Sequence, residues 1–259
     1  MKGQGTEIWK KEEYSYEGAH GFIPVMVSYM HEDDKIHPAM IVVPGGGYRQ
    51  VSRTEAHLVA MDFYEADYNV FVLVYTVNPL DEVPLGMQPL QDISRAIRMI
   101  RGKAEEYRIT PEKIAVCGFS AGGHLAATGL VTLKGELKPD FGILVYPVIS
   151  MKKNITHQFS RFNLMGKSPS EDTVIKFSTE EQVAEDTPAT ILFHCSDDPA
   201  VKPENSIVFY QALLRNAVPA EMHVYPKGRH GWGFIEGAPF PYFNEFKTTV
   251  LRWIAEQNN

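Results

Sequence analysis

Ile114-Ala115-Val116-Cys117-Gly118-Phe119-Ser120-Ala121-Gly122-Gly123-His124-Leu125 is the stretch on which the rest of the chain is read. A short, β-branched apolar run leads into Gly-x-Ser-x-Gly, and helix-forming residues follow from about Ala121. Such a pattern serves a sharp strand-to-helix turn that pushes a serine outward on a strained backbone. A Cβ at Gly118 or Gly122 would collide with neighbouring chain, which is why glycine is needed there. The pentapeptide alone is a weak signal at ordinary Gly and Ser frequencies. The strand before it and the helix after it make it a strong one.

Outward from this turn, short apolar runs alternate with segments of helical period. Residues 39–43, 70–75, 114–117, 141–146 and 190–193 are continuous and largely apolar, the mark of parallel strands buried on both faces. Residues 221–225 alternate as an edge strand would, and 22–29, with Pro24 near the start, predict an antiparallel opening strand. Between them Ala56, Val59, Phe63 and Ala66 follow helical spacing, as do Leu90, Ile93, Ile97 and Ile100, with Pro89 in the first turn. Ile207, Tyr210, Leu214 and Ala217 predict the apolar face of a third helix, and Phe246, Val250, Trp253 and Ile254 that of the last. Strand and helix in alternation imply a mostly parallel sheet with helices on both faces and right-handed crossovers. Residues 150–188 hold no clear strand and predict an insertion over one end of the sheet, in the place of a lid.

The whole chain of 259 residues, 44% apolar and 22% charged, fits one globular catalytic domain over 1–259 that carries this insertion. That composition excludes collagen, a coiled coil and a disordered tail. With 25 Lys plus Arg against 32 Asp plus Glu, a formal charge of −7 argues against a nucleic-acid partner. No stretch reaches the roughly 18 apolar residues of a membrane span. Residues 1–7 lack the apolar core of a signal peptide, so a cytoplasmic location is expected unless a leader has been removed. Cys117 and Cys195 each end an apolar run and are expected to be buried, reduced thiols.

A serine hydroxyl becomes nucleophilic only beside a base, and the base needs a third group to orient it. After the strand at 190–193 comes Ser196-Asp197-Asp198-Pro199, and after the edge strand Lys227-Gly228-Arg229-His230-Gly231. An acid and a histidine thus fall at the carboxyl ends of successive strands, where open α/β sheets place their sites, in the chain order Ser, acid, His. Asp198 is preferred to Asp197 because it directly precedes Pro199; one of the two is expected to serve an Asx turn. His230, between loop residues and flanked by Gly231, is preferred to His194 and His223, which lie in strands, and His124 is expected to pack on the helix after Ser120. Pro44-Gly45-Gly46-Gly47-Tyr48 follows the strand at 39–43, where backbone N–H groups can close on a developing oxyanion. Gly46, Gly47 and Ala121 are the expected donors. No Gly-Lys-Ser/Thr phosphate loop occurs, and no His-x-x-x-His or Cys-x-x-Cys spacing, so neither metal nor organic cofactor is expected. Tyr48 and Trp232, beside motif residues, are assigned to the wall of a substrate pocket.

These motifs together resemble the α/β-hydrolase superfamily, and within it a bacterial esterase branch whose carbohydrate acetyl esterases carry Pro-Gly-Gly-Gly-Tyr in place of His-Gly-Gly-Gly. The likeness runs over about 41–230 and takes in Pro89-Leu90-Gln91-Asp92, Gly118 to Leu125, Asp198-Pro199 and Pro226 to Gly231. Pro44 stands where lipase-like relatives have His, Arg229 where Gly is frequent and Trp232 where Phe is frequent. The resemblance implies an α/β-hydrolase fold and a serine carboxylesterase with a Ser120, Asp198 and His230 triad and no cofactor. Its substrate would be a small-molecule or oligosaccharide ester, above all O-acetyl groups on sugars or xylo-oligosaccharides. It leaves the oligomeric state open. Two rivals remain: a prolyl-oligopeptidase-type peptidase, which usually carries a propeller this chain has no room for, and a non-catalytic binding protein on the same scaffold.

Overall fold

The computed structural model describes residues 3–81, 83–236 and 239–258. The elements run β1 (Gln4–Glu7), β2 (Val25–Tyr29), β3 (His37–Val43), α1 (His57–Glu65), β4 (Asn69–Val74), α2 (Gln88–Gly102), β5 (Ile109–Phe119), α3 (Ser120–Thr132), β6 (Phe141–Val145), α4 (Gln158–Met165), α5 (Glu171–Phe177), β7 (Thr190–Cys195), α6 (Glu204–Arg215), β8 (Ala220–Tyr225) and α7 (Phe243–Asn258). They build one eight-stranded sheet in the order β1-β2-β4-β3-β5-β6-β7-β8. β1–β2 and β2–β4 are antiparallel and every other pair is parallel.

Side chains on a strand alternate between faces, and the central strands supply two cores by that rule. Ile41 and Val43, Phe71 and Leu73, Ile114 and Val116, Leu144 and Leu192 join one core under α2, α3 and α6. Met40 and Val42, Val70 and Val72, Ala115 and Cys117, Ile143 and Val145, Ile191 and Phe193 join the other, under α1 and α7. Both faces are therefore closed, as the apolar runs predict. In α7 the stripe Phe246, Val250, Trp253 and Ile254 is buried as expected. In α6 it is not: Ile207 and Leu214 are exposed, and Phe209, Ala212 and Leu213 face inward with Asn205 and Ser206. Those two polar residues are drawn in by hydrogen bonds, Asn205 Oδ1 accepting from the N–H of Ile149 at 2.9 Å and Ser206 Oγ lying 2.7 Å from His194 Nδ1.

Strand β1 is four mostly exposed residues paired only with β2, too polar and short to leave a hydrophobic pattern. Over 150–188 lie α4, α5 and a single 3-10 turn, Thr179–Glu181, with no strand. This insertion is stitched to the body. Asn163 Nδ2 donates to the carbonyl of Gly47 at 2.9 Å, and the N–H groups of Leu85 and Gly86 donate to the carbonyls of Asn163 and Leu164 at 3.0 and 2.8 Å. Among the described residues no helix is long and apolar enough to cross a membrane. Cys117 and Cys195 are buried free thiols on β5 and β7, which β6 separates.

Candidate active site

Ser120 sits where β5 turns into α3, at φ 51°. That left-handed conformation costs a non-glycine residue about 1–2 kcal/mol and persists only where the surroundings impose it. The glycines on either side impose it. A Cβ on Gly122 would stand 2.2 Å from the carbonyl oxygen of Val43, and one on Gly118 2.6 Å from that of Gly122. The turn is thus pressed against the end of β3, and the serine is held outward.

His230 lies after β8, with Nε2 2.9 Å from Ser120 Oγ and Nδ1 2.6 Å from Asp198 Oδ2. An ionised carboxylate only accepts, so Nδ1 carries the proton it donates to Asp198, and Nε2 is left to accept from the serine hydroxyl. Burial opposes ionisation of Asp198, but hydrogen bonds from His194, His230 and the N–H of Val201 outweigh it and hold the carboxyl well below the usual carboxylate range. The two aspartates after β7 divide the work in a way the sequence does not show. Asp198 uses Oδ1 for the Asx turn, accepting from the N–H groups of Ala200 and Val201 at 2.8 and 2.9 Å, and keeps Oδ2 for the imidazole. Asp197 points the other way and accepts from the N–H of Arg229 at 2.8 Å, fixing the loop that bears His230.

Gly46 and Gly47, at φ 124° and 65°, curl the loop after β3 onto the wall of a cleft of about 260 Å³ that also exposes Ser120, His230 and His157. The carbonyl of Gly46 holds the curl, accepting from the N–H groups of Arg49 and Gln50 at 3.1 and 3.2 Å. Ala121 is the next residue after Ser120, in the first turn of α3. No hydrogen bond found among the described residues uses the N–H of Gly46, Gly47 or Ala121. Donors left unused beside a nucleophile are what a developing oxyanion requires.

Tyr48 and Trp232 are not brought to that cleft. Both are only 1% exposed. Tyr48 turns inward and donates its hydroxyl to His124 Nδ1 at 2.8 Å, while His124 Nε2 donates to the carbonyl of Phe177 at 2.7 Å. Burial drives the His124 pKa from the usual 6.5 to about 4, so it is a neutral packing residue. Trp232 stacks on Phe240, ring centroids 3.9 Å apart, and meets Tyr146 edge-on. Large apolar rings beside a motif are drawn into the core by their own area.

Three residues with no sequence motif complete the surroundings. Glu55 is 4% exposed; its Oε2 accepts from the N–H of Gly45 and its Oε1 from the Tyr146 hydroxyl, at 2.8 and 2.7 Å. Tyr146 in turn accepts from the N–H of Gly233 at 2.9 Å and packs its ring 4.6 Å from that of His230. Burial, with Glu55 adjacent, pushes the Tyr146 phenol well above its ordinary value, which keeps the proton it donates. His157, from the insertion, lines the same cleft as Ser120 and His230. Far from this site, His31, His37 and Asp67 bring potential metal ligands together. The two imidazoles stack 14° from parallel at 4.2 Å, so their in-plane lone pairs do not converge on a shared ion.

The BD-FAE family model matches residues 27–142. The chain is 40% identical over 235 residues to endo-1,4-beta-xylanase B of Butyrivibrio fibrisolvens, covering 86% of this chain and 37% of that protein. It is 32% identical over 222 residues to an acetylxylan esterase of Xylanibacter ruminicola, covering 83% of this chain and 45% of that protein. It thus spans less than half the length of both curated relatives. Over nearly its whole length it superposes on the crystal structure of an acetyl ester-xyloside bifunctional hydrolase from Caldicellulosiruptor lactoaceticus. The TM-score there is 0.88 and the identity 33%, with 98% of this chain and 96% of that one covered.

Proposed function

The chain belongs to the α/β-hydrolase superfamily, in its acetylxylan-esterase-like branch, and from that premise we propose that it is a serine carboxylesterase removing short acyl groups, above all acetyl, from sugars or xylo-oligosaccharides. The observation that carries the reading is a single imidazole in hydrogen-bond reach of both a strained serine hydroxyl and a buried carboxylate. In this mechanism Ser120 Oγ attacks the acyl carbon as His230 Nε2 takes its proton. Asp198 holds the imidazole tautomer and balances the imidazolium that forms. The N–H groups of Ala121, Gly46 and Gly47 receive the oxyanion, each worth roughly 3 kcal/mol in the transition state. His230 returns the proton to the departing alcohol, and water then repeats the sequence on the acyl-enzyme. We read the sheet and its insertion as one catalytic unit.

The modest cleft supports a small acyl group, and the likeness to an acetylxylan esterase and to an acetyl ester-xyloside hydrolase supports a carbohydrate alcohol. The test pairs acetate release from acetylated xylo-oligosaccharides with fluorophosphonate labelling, in the parent and in Ser120→Ala. The parent should label and release acetate. The variant should do neither, losing roughly 10⁴-fold or more in kcat with its melting temperature close to the parent's. A Ser120→Ala protein that still turns over at the parental rate would sink the mechanism. Hydrolysis of an aminoacyl anilide in preference to acetyl esters would favour the peptidase instead, and a parent inert to the label would favour the binding protein.

A further inference from the structure

The insertion sends into the cleft one polar side chain that acyl transfer leaves idle. His157 stands at the start of α4, with Nδ1 2.8 Å from Ser160 Oγ, and its Cε1 lies 3.8 Å from where a Cβ on Gly47 would be. Ser160 is fully buried, so this hydrogen bond fixes the ring. Among the described residues Nε2 has no hydrogen-bond partner, and the residue lines the same cleft as Ser120 and His230. Burial, then the neighbouring His230, push the His157 pKa down, while Asp198 pulls weakly the other way. His157 is not the base for Ser120, because His230 already holds Ser120 Oγ. It is suited to meet a neutral polar group.

Two residues on, Phe159 leaves its side chain largely in solvent. It is 57% exposed, with its ring centroid 6.4 Å from that of His157 and its Cβ 4.0 Å from the Gly47 position. With Asp81, Gln158 and Phe162 it walls a groove of about 330 Å³. An apolar ring flanked by an amide, a carboxylate and an imidazole matches a pyranose, which has apolar C–H faces and a rim of hydroxyls. Phe159 thus reaches to within 4.0 Å of the Gly47 position, and Gly47 lines the cleft, so such a ring would sit beside the reacting ester rather than at a remote point.

We propose that His157 and Phe159 form the subsite for the alcohol half of the ester: His157 Nε2 hydrogen-bonds a free hydroxyl of the acetylated sugar, and Phe159 covers the apolar face of that ring. This rests on the carbohydrate-ester reading above. The test compares the parent, His157→Ala, His157→Gln and Phe159→Ala on two esters, p-nitrophenyl acetate, whose alcohol has no hydroxyls, and a mono-O-acetylated methyl xyloside. The ratio of kcat/KM for the sugar ester to that for the nitrophenyl ester should fall about tenfold in each Ala variant, mainly through KM, as expected for loss of one polar or stacking contact. His157→Gln, whose amide keeps a hydrogen-bonding group, should recover most of the ratio. A ratio equal to the parent's in both Ala variants, whether or not both rates drop, overturns the subsite alone. A parent that cleaves the nitrophenyl ester and never the sugar ester overturns the carbohydrate reading and the subsite with it.

Discussion

Glu55 grips two loops at once, the glycine loop through the N–H of Gly45 and the Tyr146 hydroxyl that braces the His230 segment. Glu55→Gln replaces one acceptor by an NH₂ that would face a phenol already donating, so one of the two grips is lost. Displacements of about 1 Å around a reacting centre cost up to roughly 10²-fold in rate. The expected result is therefore a 10- to 100-fold fall in kcat, as an order of magnitude, with KM close to the parent's. Steady-state kinetics on p-nitrophenyl acetate check it, and an unchanged kcat would show that the two loops hold themselves. The contrast with Ser120, Asp198 and His230 explains what a sequence reveals at this scale. Each of those three needs particular neighbours, a glycine turn, a proline or a flanking glycine, and so leaves a local mark. Glu55 and Tyr146 meet across 91 residues of chain, and no neighbour of either announces the contact.

Helix α3 carries its own pH-sensitive element in its second turn. His124 is fully buried and neutral in the folded protein, with its pKa at about 4. The unfolded chain takes up a proton nearer 6.5, so stability is complete above that pH and declines as pH falls from about 6.5 towards 4. Between pH 7 and pH 5 this one residue should remove about 2 kcal/mol. Urea unfolding of the parent and of His124→Gln at both pH values isolates it: the parent should lose about 2 kcal/mol more than the variant. Equal losses would mean that the ring is solvated in the native state. At the scale of elements, the sequence is most readable where both faces of a strand are apolar, as in β3 to β7. It misleads in α6, where Asn205 and Ser206 turn inward because partners await them on other segments.

The molecule as a whole encloses both of its thiols. Burial pushes the Cys117 thiol well up and that of Cys195 to about 12, so neither offers thiolate at neutral pH. Ellman's reagent should find about no reactive thiol in the native protein and two after denaturation, with labelling paced by global opening. Fast reaction of either cysteine under native conditions would show that its strand is accessible. The sheet's class and its helices on both faces are legible from alternation alone, because burying a parallel sheet demands that pattern. How the insertion is fastened is not legible, since Asn163 and Gly47 meet across 116 residues. That fastening matters to anyone who would retarget this scaffold by exchanging its roof. The segment over the sheet is no interchangeable part: a transplant lacking an amide at position 163 would unpick the floor it was meant to cover, and the graft would be blamed for a fault in the seam.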